Sequence, residues 1–167
     1  MSAWEPTIGG SDEWFTPPHI IEALGEQFDL DVAAPIDGPR HVPATAWHHV
    51  EHCGLASSWQ GFVWMNPPFG GRNGLQPWLD KFFGHGNGIA LTPDRTSAPW
   101  WQEAAGRADA ILFTRGKPRF ERPDGTVGKQ PGNGVTLWAA GPRAVAALLR
   151  ADPQLGCAFQ RLHRGAK

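Results

Sequence analysis

The residues best suited to chemistry stand together at Asn66-Pro67-Pro68-Phe69, directly after the apolar run 62–65. Each proline fixes its own φ and lacks an N–H, and Pro67 also drives Asn66 out of the helical region. The carbonyls of Asn66 and Pro67 therefore point in set directions, and the Asn66 side-chain oxygen adds another acceptor. Such a rigid set matches the two hydrogens of a planar –NH2 group, while Phe69 offers a ring on which a planar base can stack. An exocyclic nucleobase amine meets both conditions. Its lone pair is delocalised into the ring, and acceptors gripping its hydrogens favour the pyramidal geometry reached as a methyl cation arrives. That is transition-state stabilisation by preorganised dipoles, and it needs no strong base. A base inside duplex DNA would first have to be flipped out. The same grip would serve adenine N6, cytosine N4 or a protein glutamine, so the tetrapeptide alone leaves all three open.

A second chemical signal is charge. Residues 1–106 carry 4 Lys/Arg against 12 Asp/Glu, whereas residues 107–167 carry 11 against 4. A basic half of this kind points to nucleic acid as partner. Its densest part is "RGKPRFERPDGTVGK", where Arg115, Lys117, Arg119, Arg122 and Lys129 surround Phe120 and several glycines. These are candidate DNA phosphate contacts, and Arg95 in "TPDRT" joins them. Specificity is expected in residues 115–134, with 36–58 as a second candidate. His41, His48, His49, His52 and Cys53 follow no common zinc spacing, and no metal site is expected. Cys53 and Cys157 make no disulfide framework, which fits a reducing cytoplasm.

Several elements must position these groups. "TPPHIIEALGE" predicts a short helix with Thr16 as cap, Pro18 in the first turn and Gly25 as stop. "FDLDVAAP" predicts a strand running into a loop. Residues 36–61 read as irregular, with a weak extended stretch over 45–50. "GFVWMN", "GIALTP", "ADAILFTRG" and "GVTLWAAG" predict four more strands. "LQPWLDKFFGHG", "SAPWWQEAAGRA" and "GPRAVAALLRAD" predict helices, the first with Leu75, Trp78, Leu79, Phe82 and Phe83 on one face. Alternating strands and helices imply a largely parallel α/β sheet. The Gly/Pro-rich link between the last two strands has no helical period, so those strands should pair antiparallel. At 167 residues one domain over 1–167 is expected. No apolar run is long enough for a membrane span, and the N-terminus does not read as a signal peptide. Gly (21) and Pro (16) are high, but nine Trp and nine Phe supply the apolar area that disordered chains lack.

"DEWFTPP", "FDLDVAA", "GLASSWQGFVWMNPPFG", "GIALTPDRT" and "ADAILFTRGKPRF" occur in an order that resembles the Dam-type DNA N6-adenine methyltransferases of phages and prophages. The resemblance runs from about Asp12 to Gly141. It implies a Rossmann-like class I methyltransferase fold, S-adenosylmethionine as methyl donor, DNA as partner and a bacterial host cytoplasm. It makes Asn66, Pro67, Pro68 and Phe69 the catalytic segment. Trp14, Phe15, Thr16 and Pro17 match the segment that borders the methionine end of the cofactor. Asp31 and Ala33 match the first strand's acidic loop, with Asp31 suited to hold an ammonium. Similar proteins tend to carry an acid just before Gly54-Leu55; here His52-Cys53 stand there, and Glu51 is the nearest acid for the ribose hydroxyls. A DNA-binding relative without turnover is the alternative that this substitution keeps open.

Overall fold

The computed structural model describes residues 14–49, 53–68, 74–129 and 132–161. In chain order it contains α1 (Pro18–Leu24), β1 (Phe28–Asp31), β2 (Ala44–Trp47), β3 (Val63–Met65), α2 (Gln76–His85), β4 (Gly88–Pro93), α3 (Pro99–Arg107), β5 (Ala110–Thr114), β6 (Val135–Ala140), α4 (Pro142–Leu155) and β7 (Gly156–Gln160). The strands form one sheet in the order β2-β1-β3-β4-β6-β5-β7. β1 pairs in parallel with β2 and with β3, and β3 pairs in parallel with β4. β6 runs antiparallel to both β4 and β5, and β7 runs antiparallel to β5. The expected antiparallel pairing of the strands flanking the Gly/Pro-rich link is therefore present, as β5 and β6.

The period-2 alternation of strands assigns their residues to two helical layers. Trp64, Ile89, Leu91, Leu112, Leu137 and Ala139 face α1 and α4, meeting Ile20, Leu24, Ala147 and Leu148. Val63, Met65, Ala90 and Trp138 face the other way, toward Trp78, Leu79 and Phe82 of α2 and Trp101 and Ala104 of α3. β6 is buried along its whole length, as expected for a central strand covered on both faces. The polar atoms in this core are satisfied in pairs: Trp138 Nε1 donates to Thr92 Oγ1 at 2.8 Å and Trp101 Nε1 to Thr136 Oγ1 at 3.1 Å. Leaving either donor unpaired would cost about 1–3 kcal/mol.

Four sequence expectations need correction. Thr16 does not cap α1; the N-cap is Pro17, with no side-chain cap bond. The weak extended stretch is the parallel edge strand β2, ending at Trp47. α4 does not stop at Asp152 but carries Pro153 inside its last turn. β7 was not anticipated at all. In addition, β1, β2 and β3 are joined without a helix among the described residues. Pro35, Gly38, Pro39 and Pro43 oppose a helix between β1 and β2, and a dozen residues suffice for the crossover. Among the described residues no helix is long and apolar enough to cross a membrane.

Candidate active site

β1 to β5 all run the same way, so their carboxyl ends share one edge of the sheet. β2 lies on one side of β1 and β3 on the other. In open α/β sheets the crevice at such a reversal of strand order is where ligands bind. The carboxyl end of β1 carries Asp31 and that of β3 leads into Asn66, with Asp31 in register with Trp64. Below this edge the two strands are locked together. The Phe28 and Phe62 rings stack with centroids 5.3 Å apart, and Asp29 Oδ2 accepts from the Phe62 N–H at 2.6 Å.

Asn66 is half-buried, Pro67 buried and Pro68 exposed. The Asn66 amide donates from Nδ2 to Thr16 Oγ1 at 3.1 Å. Because the two arms of a planar amide diverge, this bond turns Oδ1, the acceptor, away from Thr16. Thr16, expected to cap a helix and border a cofactor, thus touches the candidate catalytic amide itself. Phe15 and Pro17 are buried on either side of it.

Asp31 is 3% exposed. Burial pushes its carboxyl up to about 7, against a weaker lowering effect of the Ala33 N–H, which donates to Oδ1 at 3.1 Å. No cation faces this carboxyl among the described residues. Ala33 follows two residues on and is half-buried. The turn 53–57 packs against the same loop, since a side chain at Gly54 would run into the Val32 carbonyl. Lys81 Nζ secures that turn by donating to the carbonyls of Gly54 at 2.9 Å, Leu55 at 2.8 Å and Ser57. Glu51 and Phe69 lie outside the described residues.

The basic segment is more ordered than its sequence implied. Residues 120–128 form a small hairpin: Gly128 N–H donates to Phe120 O and Arg122 N–H to Thr126 O, around a turn at Pro123, Asp124 and Gly125. Glu121 bridges to Val127 on one side and to Phe15 on the other, where Phe15 N–H donates to Glu121 O at 2.8 Å. The Glu121 carboxylate pairs with Arg40 Nη1 at 2.5 Å and His41 Nε2 at 2.8 Å, and these partners hold it below its ordinary range. Arg122 stacks over the Trp14 ring at 5.2 Å and Arg40 over Phe15 at 4.1 Å. A side chain at Gly128 would come within 2.6 Å of the Trp14 ring. The Trp14–Phe15 segment and the hairpin are thus one unit.

The structure therefore brings Phe15, Thr16 and Pro17 together with Asn66 and Pro67, with Asp31 and Ala33 on the neighbouring strand end. Arg115, Lys117 and Arg119 converge on a concavity that Pro17 also lines. Arg122 is engaged with Trp14, and Arg95 and Lys129 are exposed. Arg40, His41, Lys81 and Glu121 were not singled out for a role in the site. For the hairpin a signal existed, the turn tripeptide Pro-Asp-Gly within a polar run. For Glu121 it was an acid set between cations, directly before Arg122 in the basic run.

Neither a search of curated proteins nor a search of solved structures returns a match to this chain. A family model described as DNA N-6-adenine-methyltransferase (Dam) matches residues 8–136, most of the chain and all of the site above, and the chain belongs to that family.

Proposed function

We propose that this protein methylates N6 of adenine in DNA with S-adenosylmethionine as donor, on a Rossmann-like class I methyltransferase fold. The observation that carries this reading is the Asn66 amide at the carboxyl end of β3, turned by Thr16 so that its oxygen is the available acceptor. The strand order supports the fold reading, because on one side of the reversal about β1 the strand ends that carry Asp31 and Asn66 are neighbours.

The residues fit the donor. Asp31 is a buried carboxyl without a cation among the described residues, and the ammonium of an amino-acid moiety would supply one. Trp14, Phe15, Thr16 and Pro17 border that end, Ala33 lets the backbone approach closely, and Glu51 serves the ribose hydroxyls. When bound, S-adenosylmethionine supplies an electrophilic methyl group. The chain's own part is to hold the acceptor. Asn66 Oδ1 and the Pro67 carbonyl take the two amine hydrogens, and Pro67 and Pro68 offer no N–H that would compete. Phe69 stacks on the flipped base, whose extraction from a duplex costs a few kcal/mol. The basic segment, with Arg95, Arg115, Lys117, Arg119, Arg122 and Lys129, contacts DNA.

The test is incubation with labelled S-adenosylmethionine and unmethylated DNA, followed by nucleoside analysis. Label in N6-methyladenine is expected. Label confined to N4-methylcytosine, or cofactor binding without transfer, would overturn the assignment.

A further inference from the structure

Beside the candidate active site lies a concavity of about 450 Å³, lined by Pro17, His19, Arg115, Lys117, Arg119 and Gln154 among others, with no carboxylate in its wall. Its cations differ from most others in the protein. Arg40, Arg107, Arg143 and Arg150 are ion-paired, Arg122 covers Trp14, and Arg161 bonds the Gly106 carbonyl. Arg115 and Arg119 have no acidic partner among the described residues, and Lys117 only donates to the Gly132 carbonyl at 2.8 Å, which fixes it without neutralising it. The Leu155 carbonyl at the end of α4 accepts the Arg115 N–H at 2.6 Å. Three uncompensated cations in a concave site of ligand size are a receptor for an anion that takes guanidinium forks.

We propose that this concavity seats a single phosphate of the DNA strand that carries the target base. Arg115, Lys117 and Arg119 hold the phosphate, with His19 and Gln154 at its border. The inference rests on the function proposed above and narrows it. Pro17 is the direct neighbour of Thr16, whose hydroxyl holds Asn66, so seat and amide grip are joined by one peptide bond. A phosphate anchored there belongs to a nucleotide flanking the extruded one. The strand is then held at one defined point while the base leaves the stack, whereas a diffuse basic surface would hold all phosphates alike. A free nucleotide carrying the same phosphate is the other source of this chemistry.

A methylphosphonate scan separates the possibilities. Oligonucleotides containing one adenine that the enzyme methylates would carry a single neutral linkage, moved stepwise to either side of it. Binding is expected to weaken about tenfold or more at one linkage, as for loss of one charge-assisted contact, and far less elsewhere. An Arg115→Gln/Arg119→Gln variant should bind the unmodified strand with a similar loss and no longer sense that linkage. Unchanged cofactor titration would establish that the variant is folded. A flat scan on DNA that binds would overturn this inference and leave the methyltransferase reading standing. A position effect that persists in the variant would place the seat elsewhere and overturn it too. Tight binding of deoxyadenosine monophosphate but not deoxyadenosine, with a flat scan, would assign the concavity to free nucleotides instead. Failure of the wild-type protein to bind any DNA would remove the functional reading and this inference with it.

Discussion

Asn66 and Glu121 are linked through the Phe15–Thr16 segment, yet they are held in opposite ways. Asn66 follows Val63, Trp64 and Met65, each at most 1% exposed, so the core fixes where the amide stands. Glu121 is half-buried in a hairpin whose neighbouring Phe120 packs against the core, while the hairpin's turn, residues 124–127, is exposed. The position of Glu121 depends on two bridges, two ion pairs and a cation stacked on a ring. Packing is rigid and unforgiving, whereas exposed charge pairs weaken with salt and permit motion. On the function proposed above, chemistry would fall to the scaffold and substrate capture to the adjustable part.

The sharpest way to break that contrast is Asn66→Ala. It should lower methyl transfer about 100-fold or more, as for loss of one preorganised polar group, while calorimetry finds cofactor affinity within about twofold. A large loss of cofactor affinity would move the amine grip away from Asn66.

Asp31 comes next. Its carboxyl sits at about 7, above the ordinary value of 3.8. The folded state therefore holds the proton more tightly than the unfolded chain. Its contribution to stability is complete below about pH 4 and is lost as pH rises to about 7, on the order of 3–4 kcal/mol. Asp31→Asn should remove that slope in thermal melts. A cationic ligand selects the ionised carboxyl, so cofactor affinity should fall about tenfold per pH unit below 7. The Asp31→Asn variant should bind weakly and without that dependence.

Thr16 joins the two regions, since Phe15 before it pairs with Glu121. Thr16→Val keeps the shape and removes the oxygen that Asn66 donates to. A drop of about tenfold in kcat is expected with cofactor affinity retained, and recovery in Thr16→Ser. If Val and Ser behave alike, the bond does not orient the amide.

The smallest effect is expected from Glu121→Gln. Catalysis on saturating DNA should be nearly unchanged, while KM for DNA rises about threefold, by analogy with a single exposed charge pair. Limited proteolysis should cut the 120–128 hairpin faster. Equal loss in kcat would show that hairpin and amide are not separable.

The central strands and α2 were legible in the sequence because their apolar residues repeat at the strand and helix periods. β7 was not. "GCAFQ" is an edge strand with an alternation broken by its first glycine, and Gly156 is there because a side chain would strike the Phe113 carbonyl, a contact no local pattern records. The helix expected over "GPRAVAALLRAD" ended at Asp152, yet the last turn of α4 accommodates Pro153. The Asn-Pro-Pro-Phe segment declared its chemistry through residue types alone. Its partner did not, because Thr16 lies fifty residues away and local rules assign such a threonine to a helix cap. Arg122 and Trp14 were read as separate DNA and cofactor contacts for the same reason: their stacking is tertiary.

β6 has one more consequence, for the order in which the chain can assemble. It lies between β4 and β5 and supplies the antiparallel partner of each, yet it begins only at Val135. During synthesis every strand from β1 to β5 emerges before the one that joins them, so the nascent sheet carries two unpaired edges until late. The family match ends at residue 136, two residues into β6. A polypeptide cut to that boundary would hold every residue of the proposed methyl-transfer site and lack the strand that closes the sheet beneath it.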